Sequence, residues 1–300
     1  MNTRPALTIG TFDGVHVGHA AILRAARKAV PRPGIVMVLS FDPSPGTVLD
    51  PSRPIQRLTS RGQRTQLLID AGADEVLFLD PRDGILDLRA DSFLKQVCRT
   101  HNPAFLVEGE DFRFGQGRKG SMETLRMAEE RYGYETVTVA PVQQALQDGL
   151  LVPVSSSLVR RLLLDGRVVD AAMLLGHPYA VDGTVVPGEK RGRTLGIPTA
   201  NLEVGEMLLP RDGIYAGSAT RDDGRSWAAA ISIGRKPTFD GDARWCEAHL
   251  LGYDGPPDEY DWSVTLQFTS WIRDQVRFET STALVEQMER DIAGMELRCE

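Results

Sequence analysis

Three hundred residues, 42% of them hydrophobic and 25% charged, describe a globular chain with room for two ordinary domains and exclude a disordered or fibrous one. A net charge of -7 at pH 7 speaks against a general nucleic-acid binder, which needs a basic face, yet leaves room for a locally basic phosphate site. The three cysteines, Cys98, Cys246 and Cys299, form no CxxC pair, which argues against a disulfide framework or a cysteine zinc site and suits a reducing cytosol.

The chain opens on Met1-Asn2-Thr3-Arg4-Pro5 and runs directly into a strand, with no charged-then-apolar leader and no apolar run of bilayer length. A cytoplasmic location is therefore expected. Buried strands are predicted over Leu7 to Phe12, Ile35 to Phe41, Glu75 to Leu79, Ala104 to Glu108 and Glu135 to Ala140. Helical patterns fall between them, over His19 to Val30, Gly62 to Ala71, Asp91 to Thr100 and Ser121 to Tyr132. In the first helix Ile22, Leu23, Ala26 and Val30 recur at helical spacing and leave Arg24, Arg27 and Lys28 outward. Repeated strand-helix-strand order implies a Rossmann-like α/β domain with a parallel sheet covered on both faces, binding its ligands beyond the strand C-termini.

Two short helices, Ser155 to Leu164 and Val168 to Leu175, follow and meet at Gly166. After Pro178 the texture changes to strands without helices: Tyr179 to Val186, Ile214 to Thr220, Trp227 to Ile233, Trp245 to Leu251 and Trp262 to Phe268. Gly/Asp/Pro-rich turns separate them, which is the pattern of an antiparallel β-barrel or sandwich. A closing helix is predicted from Leu284, Val285, Met288, Ile292 and Met295 on one face, with Ser281 as its cap. The domain boundary is placed near Gly176, giving domains 1–176 and 177–300.

The first strand ends in Gly10-Thr11-Phe12-Asp13-Gly14-Val15-His16-Val17-Gly18-His19, immediately before a helix. Glycines let a backbone approach a ligand, and a helix N-terminus offers free N–H groups and a favourable dipole. His16 and His19 can both face that space and donate to phosphate oxygens. A turn with two surface histidines is the bland alternative, but HxGH between a buried strand and an amphipathic helix favours a phosphate site.

Further along, Gly192-Arg193-Thr194-Leu195-Gly196-Ile197-Pro198-Thr199-Ala200-Asn201-Leu202 sets glycine-flanked backbone, a hydroxyl and an amide carbonyl close together. That combination suits a nucleotide phosphate with its Mg2+, an ion that takes oxygen ligands. In the strand Trp245 to Leu251, alternation puts Glu247 and His249 on one face. The four tryptophans all fall among the later strands, where aromatic packing is expected, and His101 and His177 carry no visible chemistry.

These motifs together resemble the bacterial bifunctional riboflavin kinase/FAD synthetase family. The HxGH string carries the nucleotidyltransferase half, together with Phe41-Asp42-Pro43-Ser44-Pro45, Glu108-Gly109-Glu110-Asp111-Phe112-Arg113-Phe114-Gly115 and Val154-Ser155-Ser156-Ser157-Leu158-Val159-Arg160. The PTAN loop, Ser232 to Phe239 and the Glu247 strand carry the kinase half. The resemblance implies phosphorylation of riboflavin to FMN and adenylylation of FMN to FAD, with ATP as co-substrate and Mg2+ at both steps. It also implies roles. Gly10, Asp13, Gly18, His16 and His19 would hold ATP, with the histidines stabilising charge at the α-phosphate. Ser156, Ser157 and Arg160 would hold the departing pyrophosphate, and Asp111, Phe112 and Phe114 would line the flavin; ordinary core packing is an equal reading for the two phenylalanines. In the kinase half, Gly192, Arg193, Gly196, Pro198, Thr199 and Asn201 would bind ATP, Thr199 and Asn201 would face Mg2+, and Glu247 would be the general base for the ribityl hydroxyl.

Three positions depart from the family pattern: Ser44 stands for a usual His, Ser157 for Thr and Ser232 for Asn. Ser44 raises the alternative of a relative with only the kinase half active, or one acting on a riboflavin analogue. A nucleotidyltransferase for another substrate would leave the PTAN loop unexplained. The expected partners are small molecules, with no nucleic acid and no membrane.

Overall fold

The computed structural model describes residues 4–188, 199–238, 241–256, 258–276 and the isolated positions 283, 286, 287 and 290. The chain divides into two units, Met1–Ala145 with Gly149–Ser156, and Leu146–Asp148 with Ser157–Glu300.

The first unit runs β1 (Ala6–Gly10), α1 (Val17–Ala29), β2 (Val36–Phe41), α2 (Pro45–Leu49), α3 (Arg61–Asp70), β3 (Glu75–Leu79), α4 (Ala90–His101), β4 (Phe105–Gly109), α5 (Met122–Tyr132) and β5 (Glu135–Val139). The sheet is parallel throughout, in the order β3-β2-β1-β4-β5. Its strands are apolar on both sides because helices cover both faces. Leu7, Ile9, Leu39 and Leu106 pack with Phe93, Leu94 and Leu125 on one face. Ala6, Val36, Val38 and Val107 pack with Leu23, Ala26 and Leu68 on the other. Ser60 begins α3 with a reciprocal capping box to Gln63, and Ser121 does the same for α5 with Thr124. The strand order reverses between β1 and β4, so a crevice opens beyond the C-terminal ends of those two strands.

β6 (Gln143–Ala145) and β7 (Leu151–Pro153) form a hairpin, followed by α6 (Ser156–Leu164) and α7 (Val168–Leu175). The barrel comprises β8 (Tyr179–Val186), β9 (Ala200–Glu203), β10 (Gly213–Arg221), β11 (Ser226–Thr238), β12 (Gly241–Leu250) and β13 (Ser263–Arg273). It closes in the order β10-β11-β12-β9-β8-β13, antiparallel at every seam, so it leaves no edge strand open. Val181, Leu202, Tyr215, Ile231, Cys246 and Leu266 are among its buried residues. The Tyr179 and Tyr215 hydroxyls donate to the carbonyls of Leu208 and Arg211, each at 2.6 Å, which satisfies them where burial removes water.

Of the barrel and the sandwich that the strand pattern allowed, the chain forms the closed barrel. Three elements escaped the sequence reading: α2, the β6–β7 hairpin and β9. β9 is short and preceded by a Gly/Pro-rich run, and its extended form comes from pairing with β8 on one side and β12 on the other. The closing helix expected from Ser281 onward lies mostly outside the described residues.

Candidate active sites

The loop after β1 is strained where the chain must turn from strand into helix. Phe12 and Val15 have φ of 51° and 39°, a region that costs a non-glycine residue about 1–3 kcal/mol. Side chains around the loop hold it there. The Asp13 carboxylate accepts from Leu58 N–H, Thr59 N–H and the Thr59 hydroxyl at 3.0–3.1 Å, and Thr59 Oγ1 accepts from Gly14 N–H at 3.2 Å. The Ser156 hydroxyl donates to the Asp13 carbonyl at 2.8 Å, and both Phe12 and Val15 are buried in the core. Asp13 thus spends its carboxylate on the loop itself. This supports a positioning role in the phosphate site expected for it.

His16 caps α1. Its Nδ1 accepts from His19 N–H at 3.2 Å, so that nitrogen is unprotonated and Nε2 carries the ring hydrogen. Gly18 allows this closure, because a Cβ there would meet His16 Nδ1 at 3.0 Å. The two imidazoles stack with centroids 3.6 Å apart, and Phe12 meets His19 edge-on at 5.0 Å. Burial lowers the His16 pKa to about 4. Burial, His16 and Arg64, in that order, hold His19 well below its ordinary value. Both rings are neutral donors at pH 7. His19 Nδ1 is buried and has no hydrogen-bond partner among the described residues.

Beneath this loop lies a residue that sequence reasoning missed. Arg64, on α3, is 2% exposed and donates to the carbonyls of Thr11 and Phe41 at 3.2 and 2.9 Å and to Ser40 Oγ at 3.3 Å. It also lies 3.8 Å from Asp13 and 3.7 Å from Asp42. One guanidinium therefore ties the ends of β1 and β2 to α3. In the sequence it reads only as one more charged residue on an amphipathic helix; the Ser60–Gln63 capping signature beside it was the available clue.

The other expected residues of the first site are distributed as follows. Gly10 ends β1, with Phe12 packed where its side chain would be. Ser44 precedes α2 and its side chain makes no capping bond. Beyond β4, Asp111 is exposed and Phe112 is half-buried, stacked 5.4 Å from Phe114. Phe114 is core: it lies 5.6 Å from Phe93, and its ring occupies the space a side chain at Gly120 would need. Of the packing reading and the flavin reading, geometry favours packing for Phe114, while Phe112 is the outer ring of the stack. Ser157 and Arg160 lie on α6, whose residues from Ser157 onward belong to the second unit.

In the barrel, cross-strand registers assemble what the sequence scatters. Glu247 on β12 pairs with Asn201 on β9 and with Ser232 on β11, so the three stand side by side in one row. Their neighbours Cys246, Ala248, Leu202, Ile231 and Ile233 are buried in the barrel, which puts the row on the outer wall by alternation. Gln275, which follows β13 and was not foreseen, donates from Nε2 to Ser232 Oγ at 3.2 Å. Its amide occupies the space left open by the absent side chain of Gly234. Beside the row is a cavity of about 590 Å³ lined by Gly188, Asn201, Glu203, Arg244 and Trp245, among others. A Cβ at Gly188 would fall inside the Asn201 side chain, so that glycine is what admits Asn201 to the cavity. Arg244 is held by the Leu209 carbonyl at 2.8 Å and Asp212 at 2.7 Å. Gly192, Arg193, Gly196 and Pro198 lie outside the described residues.

Thr199 and Asn201 supply a hydroxyl and an amide oxygen, the hard, neutral donors that fit Mg2+ when a triphosphate brings the charge. No group of three or more His, Cys, Asp or Glu residues fit to hold a metal by itself occurs among the described residues.

A family model for FAD synthetase matches residues 1–150, and one for riboflavin kinase matches residues 175–297. A bifunctional riboflavin kinase/FMN adenylyltransferase of Escherichia coli K12 is 34% identical over 287 residues, covering 95% of this chain and 90% of the relative. Those of Pseudomonas fluorescens and Haemophilus influenzae are 35% and 32% identical, over 96% of this chain and 90% and 92% of their own lengths. A crystal structure of a macrolide-efflux protein from Streptococcus pneumoniae is 29% identical with a TM-score of 0.85, covering 99% of this chain and 95% of that one. No helix among the described residues is long and apolar enough to cross a membrane. With a family model over each half and relatives alike along nearly the whole length, the chain belongs to the bifunctional riboflavin kinase/FMN adenylyltransferase family.

Proposed function

We propose that this chain is a bifunctional enzyme in which residues 177–300 phosphorylate riboflavin to FMN and residues 1–176 adenylylate FMN to FAD. The observation that carries most weight is the row Ser232–Glu247–Asn201, which sets a carboxylate beside the residue expected to face the nucleotide and its metal. In the kinase step Glu247 takes the proton of the ribityl 5′-hydroxyl as its oxygen bonds to the γ-phosphorus of ATP, and ADP leaves. Thr199 and Asn201 hold the ATP with Mg2+, which supplies charge neutralisation at the transferring phosphate. Gly192, Arg193, Gly196 and Pro198 bind the same ATP.

In the adenylyl step an FMN phosphate oxygen bonds to the α-phosphorus of a second ATP, and pyrophosphate departs. His16 and His19 act as neutral N–H donors to the oxygens where charge accumulates, in a water-poor setting that strengthens each bond. Gly10, Asp13 and Gly18 shape the loop, Ser156, Ser157 and Arg160 receive the pyrophosphate, and Asp111 and Phe112 form the flavin wall, with Phe114 packed in the core behind Phe112. A cytoplasmic location accords with Cys98 and Cys246 being buried free thiols.

Incubation with riboflavin, ATP and Mg2+, followed by chromatography, should yield FMN first and FAD after it. FMN that accumulates without FAD at saturating ATP would sink the adenylyltransferase half. No FMN at all would sink the kinase half.

A further inference from the structure

β1 and β4 are neighbours, yet they pair only through Ala6↔Phe105 and Leu7↔Leu106. On their outer sides the same strands stay paired to their ends: β1 with β2 as far as Gly10↔Ser40, and β4 with β5 as far as Gly109↔Val139. Where the central ladder stops, a side chain takes its place. Glu108 Oε1 accepts from Ile9 N–H at 2.7 Å, and Glu108 Oε2 lies 3.4 Å from the Thr8 hydroxyl oxygen, which can accept its proton when the carboxyl is neutral. Glu108 is 2% exposed, and Thr8 and Ile9 are buried with it. A carboxyl so buried, with no cation beside it among the described residues, belongs in the neutral acid form. Burial pushes its pKa well above the usual range, against the opposing pull of Ile9 N–H and Thr8. A hydrogen bond that ordinarily runs backbone to backbone here runs through a side chain, beyond the point where the β1–β4 ladder stops.

We propose that Glu108 is a positioning residue for adenylyl transfer: its side chain is the wedge that parts β1 from β4 and sets the width of the crevice at their C-terminal ends. The Gly10 to His19 loop leaves β1 on one side of that crevice, and the Asp111–Phe112 loop leaves β4 on the other. The inference rests on reading this unit as the adenylyltransferase. A shorter, β-branched side chain at 108 would let the ladder continue and draw the two loops together. The spacing between nucleotide and flavin phosphate would then be lost, although no group touching either had changed.

The test compares Glu108→Gln with Glu108→Val in the full chain, assaying FAD formation from supplied FMN and ATP, with FMN formation from riboflavin as the internal control. Glutamine keeps the length and the acceptor for Ile9 N–H, so adenylylation kcat/KM should stay within about threefold of the parent. Valine should lower it by about a hundredfold, with KM for FMN raised and kinase kcat/KM unchanged. Glu108→Ala provides the same comparison if Glu108→Val does not fold. Undiminished adenylylation in the valine and alanine variants would overturn the inference. So would an equal loss in Glu108→Gln, which would assign the effect to the carboxyl proton rather than to the wedge. Absence of FAD formation in the parent chain would instead bring down the reading of the unit itself, and the inference with it.

Discussion

Each of the two sites turns on a side chain whose environment decides its chemistry. His16 and His19 are neutral because they are buried and stacked on each other, with the Arg64 charge further opposing a proton on His19, so they donate hydrogen bonds without adding positive charge. An unfolded histidine titrates near 6.5 and folded His16 at about 4, so between those values the unfolded chain binds the additional proton. Stability is then lost as the pH falls through that window, by on the order of 3 kcal/mol from His16. Urea unfolding at pH 7, 5.5 and 4 should show the decline, and His16→Asn should flatten it; an unchanged slope in that variant would refute the assignment. Glu247 is the opposite case, a half-buried carboxylate expected to take a proton. Glu247→Ala should lower FMN formation by about a hundredfold or more while leaving adenylylation of supplied FMN intact. Loss of both activities in a folded variant would mean that the two sites are not independent.

At the scale of elements, the β1–α1 turn keeps its left-handed residues because α3 and the loop before it hold them. Ser60 caps α3, and Arg64 one turn further on binds the ends of β1 and β2. Arg64→Met would remove the buried cation beside Asp13 and the bonds to the Thr11 and Phe41 carbonyls, leaving Asp42 with Arg57, at a cost of about 1–3 kcal/mol. Ser60→Ala removes one half of the capping box and should cost about 1 kcal/mol. All four tryptophans lie in the second unit, whereas α1 to α5 lie in the first. Urea unfolding of Arg64→Met should therefore shift the helical circular dichroism to lower denaturant while leaving the tryptophan fluorescence transition in place. A common shift of both signals would contradict this.

For the whole molecule, two chemistries carried by separate sets of residues predict that FMN passes through solution. A mixture of Glu247→Ala and His19→Ala proteins, each deficient in one step, should convert riboflavin to FAD, with a lag set by the FMN concentration. If neither single variant nor the mixture produced FAD, transfer within one chain would be the explanation. Chelation of Mg2+ with EDTA should abolish both products, and restored Mg2+ should recover them.

The parallel sheet, its two helical layers and the later all-β region were legible because each is written in local periodicity: buried strands as apolar runs, helices as a 3.6-residue stripe. The HxGH turn, the PTAN loop and Glu247 were legible as residue types at fixed spacing, and the family likeness followed from them. What the sequence alone did not determine is which strands meet. Strand order puts β1 beside β4 across more than ninety residues and so makes the crevice that Glu108 wedges. Barrel closure brings Asn201, Glu247, Ser232 and Gln275, from separate segments, into one neighbourhood. The roles of Arg64 and Glu108 were invisible for the same reason. A buried charge or carboxyl is identified by what surrounds it, and its surroundings come from distant segments that only tertiary packing brings together.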